Sequence, residues 1–309
     1  MSTPIDPEAG DVEVRSVMDE RRNLLNVGYR LLGSLIEAED VVQEAYTRWY
    51  GMSPSERAAI ENPGAWLTTV TSRICLSQLT SARVRRETYV GNWIPEPLPG
   101  PDMATHGASD DVAADPVDRV TLDESVGMAL MVVMESMTPA ERVAFILHDV
   151  FGYRFAEIAE IVGRSPGACR QLASSARSRV RAAGADAASA VRRPDVIRRF
   201  EAAWRAKDID TLVELLDPSV VATADSGGRA VAFREPLEGR DAVLEVWLQL
   251  ADRIGELTLH QRSVNGQPGL IAKDAEGTTV SIYAFDVVDD VIRRIWAIRN
   301  PDKLGPWLA

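Results

Sequence analysis

The sequence predicts a multidomain chain: two all-α units, then an α+β domain. Three observations carry this. Apolar residues recur at helical spacing over about 14–87 and again over 122–181. The stretch between them, 89–120, is rich in proline and then in aspartate, and reads as a linker that cannot bury enough apolar surface to fold alone. From Asp195 on, two amphipathic helices are followed by alternating segments, an order that reads as α+β. A length of 309 residues fits two or three domains of about 100–200 residues each.

In chain order, residues 1–10 are expected to be disordered. Leu24, Leu25, Val27, Gly28, Leu31 and Leu32 make a first helical face, which Gly33-Ser34 interrupts. The next helix, 38–49, turns Val41, Val42, Ala45, Tyr46 and Trp49 inward. It leaves Glu39, Asp40, Gln43, Glu44 and Arg48 as an exposed polar strip. A short helix is expected over 53–60, and Asn62-Pro63-Gly64 breaks the chain before a long helix over 65–86. Trp66, Thr69, Ser72, Arg73 and Ser77 lie along that helix, with Arg83, Arg85 and Arg86 at its end. Hydroxyls interleaved with arginines suit nucleic-acid contact through hydrogen-bonding groups and phosphate partners. Trp66 itself reads as a core anchor. In the linker, Tyr89 and Trp93 suggest that one end docks on something. Helices resume over 122–137, and Thr138 with Glu141 forms a capping box for the helix that follows.

Phe155, Ile158, Ala159 and Val162 then recur at helical spacing, and Gly163 suits a C-terminal stop. Ser165 offers an N-cap and Pro166 fits the first helical position. The second helix buries Cys169, Leu172, Ala176 and Val180, and its other faces carry Arg170, Gln171, Ser174, Ser175, Arg177, Arg179 and Arg181, with no acidic residue. This is a helix-turn-helix pattern, whose second helix enters the major groove. Arg170, Gln171 and Ser174 are placed near base edges, with Ser165 at the helix start and Arg177 and Arg181 near phosphates. An alanine-rich connector, 182–190, leads to the last domain.

The net charge of −12 argues against a chain that coats nucleic acid through global charge, although a local basic patch suffices for groove binding. The two cysteines, Cys75 and Cys169, sit at buried-type positions on separate helices and read as small core residues. No metal or cofactor is expected. The N-terminus has no signal pattern, and the most apolar run, 126–137, is too short for a bilayer and contains Glu135. A cytoplasmic protein without membrane contact is expected.

In the last domain, Val196, Ile197, Phe200, Ala203 and Trp204 mark one helix, and Leu212, Leu215 and Leu216 another. A strand over 220–223 and a helix over 239–253 follow. Alternating segments at 257–261, 270–272, 278–285 and 291–298 are expected to pair antiparallel. Asp225, Arg229, His260 and Tyr283 are the groups that an acid/base enzyme on such a domain would draw on.

Together these motifs resemble a family. Glu39-Asp40-Val41-Val42-Gln43-Glu44-Ala45 resembles the region 2.2 helix of bacterial extracytoplasmic-function sigma factors. Residues 66–86 resemble regions 2.3 and 2.4, and 122–181 resemble region 4. Tyr89-Val90-Gly91-Asn92-Trp93-Ile94-Pro95-Glu96-Pro97 resembles the signature of the subgroup with a fused C-terminal SnoaL-like domain, the sigma-J type. The resemblance implies a region 2 bundle at 11–88, a linker at 89–120, a region 4 helix-turn-helix at 121–183 and a SnoaL/NTF2-like cone at 195–309. It implies that Glu39, Asp40, Gln43, Glu44 and Arg48 bind the β′ clamp helices of core RNA polymerase. Region 4 would meet the β flap. The 66–86 helix would open and read the −10 element of promoter DNA, and the helix-turn-helix the −35 element. Asp225-Ser226-Gly227-Gly228-Arg229 and Asn300-Pro301-Asp302-Lys303-Leu304 match the two motifs of the fused domain, implied to regulate activity in place of a separate anti-sigma factor. The cone also leaves open an unknown small-molecule ligand. Two positions depart from the pattern: Ser77 stands where an aspartate is expected, and Ser226 where the subgroup has a third glycine. Two other classes stand beside this reading. One is a SnoaL-like enzyme fused to a DNA-binding module; the other is a plain helix-turn-helix regulator that needs no polymerase.

Overall fold

The computed structural model describes residues 20–87, 89–100, 127–184, 193–254 and 257–308, with the backbone alone at 82–87 and 251–254. The expectations for residues 1–10, for the acidic tract after Gly100, for the first turns of the helix at 122 and for most of the alanine-rich connector lie outside those residues. The chain forms two compact units. One joins the segment up to Arg83 to Met137–Arg179; the other joins Val84–Ser136 to Val180–Ala309.

The first unit is all helical. Helix α1 (Arg21–Leu32) ends on Gly33 in the left-handed conformation, and Ser34 caps α2 (Leu35–Gly51) by accepting the Glu37 N–H at 3.4 Å. The short α3 (Pro54–Ala58) starts with a capping box of Ser53 and Glu56. Helix α4 (Pro63–Glu87) begins two residues before the expected Ala65. Pro63 is preset for a first turn, where a missing N–H costs nothing, and the Asn62 side chain accepts the Ala65 N–H at 3.0 Å. Leu24, Leu31, Val41, Trp49, Leu67, Ile74 and Cys75 are buried, so the predicted inward faces are turned away from solvent. Helix α5 (Met128–Glu135) belongs to the second unit. Helix α6 (Pro139–Phe145) opens with the predicted Thr138–Glu141 capping box and runs on into a π-helical turn, Ile146–Val150. Helices α7 (Phe155–Val162) and α8 (Pro166–Ala182) follow. Two inward positions move by one residue: Ile161 rather than Val162, and Ala173 rather than Leu172, are buried. One residue is about 100° of helix rotation, and tertiary packing chooses between neighbouring apolar candidates.

The second unit is α+β. Helices α9 (Pro194–Ala206) and α10 (Ile209–Leu215) lead into β1 (Leu216–Asp225). After β2 (Leu237–Glu238) and α11 (Arg240–Ile254) come β3 (Thr258–Val264), β4 (Gln267–Lys273), β5 (Thr279–Val288) and β6 (Val291–Ile298). The six-stranded sheet has the order β2-β1-β6-β5-β4-β3. It is mixed, which corrects the antiparallel expectation: β1 and β6 are parallel, because β6 returns beside β1 only after the α11 crossover and two hairpins. The β1–β6 register slips between Leu216 and Val221, where Pro218 cannot donate to the ladder. Phe200, Trp204, Trp247, Tyr283 and Phe285 belong to one buried cluster, with Trp204 and Tyr283 edge to face at 5.4 Å. Each such aromatic side chain buries a large apolar area.

Residues 89–100 correct the linker expectation at its N-terminal end. Ile94, Glu96 and Leu98 are buried. The Leu98 N–H donates to the Asn265 side chain at 3.0 Å, the Asn265 N–H donates back to the Leu98 carbonyl at 2.9 Å, and Pro99 bridges antiparallel to Val264 on edge strand β3. An extended segment too poor in apolar surface to fold alone can still pair with a free sheet edge.

Candidate functional site

The helix-turn-helix is built as its punctuation predicts. Gly163 takes a left-handed C-cap with φ 71°, and Ser165 Oγ accepts the Ala168 N–H at 3.2 Å. Ser165 is therefore engaged as an N-cap. Cys169, Ala173, Ala176 and Val180 form the buried stripe of α8. Arg170, Gln171, Ser174 and Arg181 are exposed, and the Arg170 guanidinium lies 5.4 Å from the Phe155 ring. Arg177 differs from its expectation: it is half-buried and forms an ion pair with Asp149 at 2.9 Å, so its charge is engaged within the unit. The exposed Arg164 and Ser178 extend the same surface. Nothing in the periodicity singles them out, but their polar type at an outward position does.

Glu39, Asp40, Gln43, Glu44 and Arg48 are all exposed along α2, with an ion pair between Glu44 and Arg48. Two apolar side chains missed in the sequence extend this strip. Ile36 and Tyr50 are 58% and 47% exposed. Residues 36, 40, 43, 47 and 50 step at three or four, so they share one face, and that spacing is the signal that finds them. On α4, Trp66 is half-buried and its ring centroid is 5.3 Å from that of Trp49. Thr69 is half-buried and Ser77 exposed. Ser72 corrects the DNA-facing set: it is fully buried, because it falls on the core side of α4 with Thr71 and Cys75. The side chains of Arg83, Arg85 and Arg86 lie outside the described residues.

The two parts of the first unit meet through arginines. Arg142, 3% exposed, donates from Nη1 to the Leu31 carbonyl at 3.0 Å, and burial pushes its pKa down to about 10. The Arg30 guanidinium lies 5.3 Å from the Phe151 ring. Arg73 of α4 is exposed and donates from Nη2 to the Glu160 carbonyl at 3.0 Å, at the end of the first helix of the helix-turn-helix.

In the second unit, the expected interdomain residues converge on one carboxylate. Asp225 is fully buried. It accepts from Tyr89 Oη at 2.5 Å, the Ile94 N–H at 3.0 Å, the Gly227 N–H at 3.1 Å and Lys303 Nζ at 2.6 Å. Asn300 donates to Tyr89 Oη at 2.8 Å, and Lys303 also donates to the Ile94 carbonyl. The Lys303 ammonium lies 4.2 Å from the Trp93 ring centroid, a cation–π contact. Burial, and then the Asp225 acceptor, push the Tyr89 hydroxyl well above its ordinary pKa. Gly227 has φ 57°, and a Cβ there would lie 2.6 Å from the Asn300 side chain; one on Gly228 would press on Val90 at 3.0 Å. Arg229 pairs with Asp302 at the rim, Pro301 opens the turn, and Leu304 is buried. The close-packed partner of the glycine loop is thus the chain's own tail and its own 89–94 segment.

The groups considered for acid/base chemistry are not brought to one site. Asp225 and Arg229 belong to this cluster, and His260 is exposed and paired with Thr258 at 3.2 Å. Tyr283 lies in the aromatic core, two strands from His260 across β4. A cleft beside α5, lined by Met128, Arg193, Phe285 and Asp286, has a volume of about 60 Å³. That is well below the ~300–1,000 Å³ of small-molecule sites.

Comparison with known proteins places these features. Sigma-70 region 2 matches residues 17–85, sigma-70 region 4 matches 127–180, and a SnoaL-like domain matches 197–293. The chain is 40% identical to the ECF RNA polymerase sigma factor SigJ of Mycobacterium tuberculosis, over 94% of this chain and 93% of that one. It is 33% identical to the probable ECF sigma factor SigI of the same species, over 94% and 93%. The crystal structure of M. tuberculosis SigJ aligns with a TM-score of 0.74 and 38% identity, covering 95% of this chain and 98% of that one. The chain belongs to the extracytoplasmic-function RNA polymerase sigma factors that carry a C-terminal SnoaL-like domain, and it directs transcription initiation.

Proposed function

We propose that the exposed α2 strip docks on the β′ clamp helices of core polymerase, that α4 opens and reads the −10 element, and that α8 reads the −35 element through Arg170, Gln171 and Ser174. Ile36 and Tyr50 serve as apolar anchors at the two ends of the strip, Tyr50 being of the aromatic type that often dominates interface energy. Arg181 and Arg164 meet phosphates, while Arg177 holds the π-helical turn through Asp149. The C-terminal domain regulates the factor by restraining the chain between the two reading regions. It does no chemistry, and the factor acts in the cytoplasm, where core polymerase works.

The observation that carries the regulatory part is the grip on the chain after α4. That helix ends at Glu87, and Tyr89 already bonds Asp225. The state of the first unit supports it. The two promoter elements lie about 25 base pairs apart, or about 85 Å at 3.4 Å per base pair. Yet Arg73 of α4 is within hydrogen-bond reach of α7. In this arrangement α4 and α8 do not reach both elements at once, so it belongs to the factor before promoter engagement.

Transcription in vitro with purified core polymerase tests the reading. The full chain is expected to initiate from a promoter that core alone ignores. Arg170→Ala is expected to lower initiation from a −35-dependent promoter about 10-fold, with core binding unchanged, because one good base contact is worth about 1–3 kcal/mol. Loss of core binding instead would misplace that residue. Lys303→Ala, which frees the 89–94 segment, is expected to raise initiation; an unchanged rate would remove the regulatory role.

A further inference from the structure

One exposed arginine of α8 is held by an aromatic ring rather than by an acid. The Arg170 guanidinium lies over the Phe155 ring, 5.4 Å from its centroid, within the range of a cation–π contact. Arg177 and Arg179 on the same helix instead pair with Asp149 at 2.9 Å and Glu141 at 3.6 Å. Among the described residues Arg170 has no hydrogen-bond or ion-pair partner, so its donors are open to a ligand. Phe155 is itself fixed. It is the first residue of α7, half-buried, and its ring packs on the His148 imidazole with centroids 4.0 Å and planes 30° apart. His148 belongs to the π-helical turn, and its Nδ1 lies 2.9 Å from the Tyr153 carbonyl. A carbonyl only accepts, so Nδ1 carries the proton and the hydrogen bond sets the orientation of the ring. All three side chains belong to the first compact unit.

We propose that Phe155 is a positioning residue for promoter reading: it holds the Arg170 guanidinium in place for a base edge, and His148 keeps the Phe155 ring where it is needed. The inference rests on the assignment of Arg170 to a base of the −35 element. Arg170 lies in the N-terminal half of α8, the half of a recognition helix that meets base edges. A free arginine side chain samples many rotamers, and ordering it on a base costs affinity that a prior contact saves. The magnitudes suit that role. An exposed cation–π contact is worth about 2- to 5-fold. A good base contact is worth about 10-fold or more. The ring therefore biases the guanidinium without holding it back from a base, whereas an ion pair like that of Arg177 would have to break first.

Initiation by the full chain with core polymerase, measured on promoters carrying each of the four bases at every −35 position, tests this. Arg170→Ala is expected to flatten the base preference at one position by about 10-fold, which identifies the base pair that Arg170 reads. Phe155→Leu keeps an apolar side chain but no ring. It is expected to lower the preference at that same position by about 2- to 5-fold and to leave the other positions unchanged. Phe155→Tyr keeps the ring and is expected to read as the wild type does. In the Arg170→Ala background, Phe155→Leu is expected to change no preference. A uniform fall on every promoter, or an equal loss with and without Arg170, overturns the proposal and makes Phe155 a packing residue only. If Arg170→Ala relaxes a position and Phe155→Leu does not, the positioning role falls and the −35 assignment stands; if Arg170→Ala relaxes none, both fall. Should Phe155→Leu fail to fold, His148→Leu decides: a weakened preference at the Arg170 position supports the proposal, and wild-type preference there overturns it.

Discussion

At the scale of single residues, Glu141 ties two helices together. Its carboxylate closes the Thr138 capping box of α6 and accepts from Ser175 Oγ on α8 at 2.7 Å, with Arg179 3.6 Å away. Burial opposes the charged form, but the hydrogen bonds from Ser175 and Thr138 hold its pKa below the ordinary value. Replacing Glu141 with alanine removes a cap worth ~1 kcal/mol and a charge-assisted hydrogen bond worth ~1.5–3 kcal/mol. A loss of about 2.5–4 kcal/mol in denaturant unfolding at pH 7 is expected. Because the folded pKa is depressed, the contribution is present above the ordinary glutamate range and fades as pH falls through the folded value. The gap between wild type and Glu141→Gln should therefore shrink from pH 7 towards pH 3; a constant gap would mean that the carboxylate's charge plays no part. The capping box was legible in the sequence because it is local. The bond to Ser175, the burial of Ser72 and the pairing of Arg177 with Asp149 were not, since each depends on which helix lies opposite.

At the scale of elements, Gly227 shows how a loop is fitted to its partner. Its backbone is left-handed and its Cα faces the Asn300 side chain. Gly227→Val adds both strain and overlap, about 1–3 kcal/mol or more. We expect it to separate the loop from the 300–304 turn, seen as faster hydrogen exchange of the Gly227 and Asp302 amides; unchanged exchange would mean that the turn simply yields. Helices and strands were largely legible, because apolar periodicity and Gly, Ser and Pro punctuation are local signals. Three features were not. The π-helical turn at Ile146–Val150 leaves no mark in periodicity, the parallel β1–β6 pair depends on how the crossover returns, and the docking of 89–100 depends on a sheet edge about 165 residues away. The cluster around Asp225 was legible only as separate motifs; that they meet on one carboxylate is a tertiary fact.

At the scale of the whole molecule, the sequence order and the packing order differ. Each compact unit is assembled from two separate stretches of chain, and region 4 is divided between them, with α5 in one unit and α6, α7 and α8 as far as Arg179 in the other. Two cores of this kind are expected to melt as two calorimetric transitions rather than one. The charged side chains buried in each core provide independent handles. Arg142→Ala removes the bond to Leu31 and leaves a cavity in the first unit, at a cost of about 1–3 kcal/mol. It should lower one transition by about 5–10 °C, given the ~4–8 °C per kcal/mol of a unit near 100 residues. Lys303→Ala leaves Asp225 buried without its cation, which costs about 3–5 kcal/mol when one partner of a buried pair is removed. It should lower the other transition by about 10 °C, at the ~2–4 °C per kcal/mol of a larger unit. If instead either variant moves both transitions together, the two cores unfold as one. Restraint by the C-terminal domain would then act through the stability of the whole chain, not through a separable hold on residues 89–100.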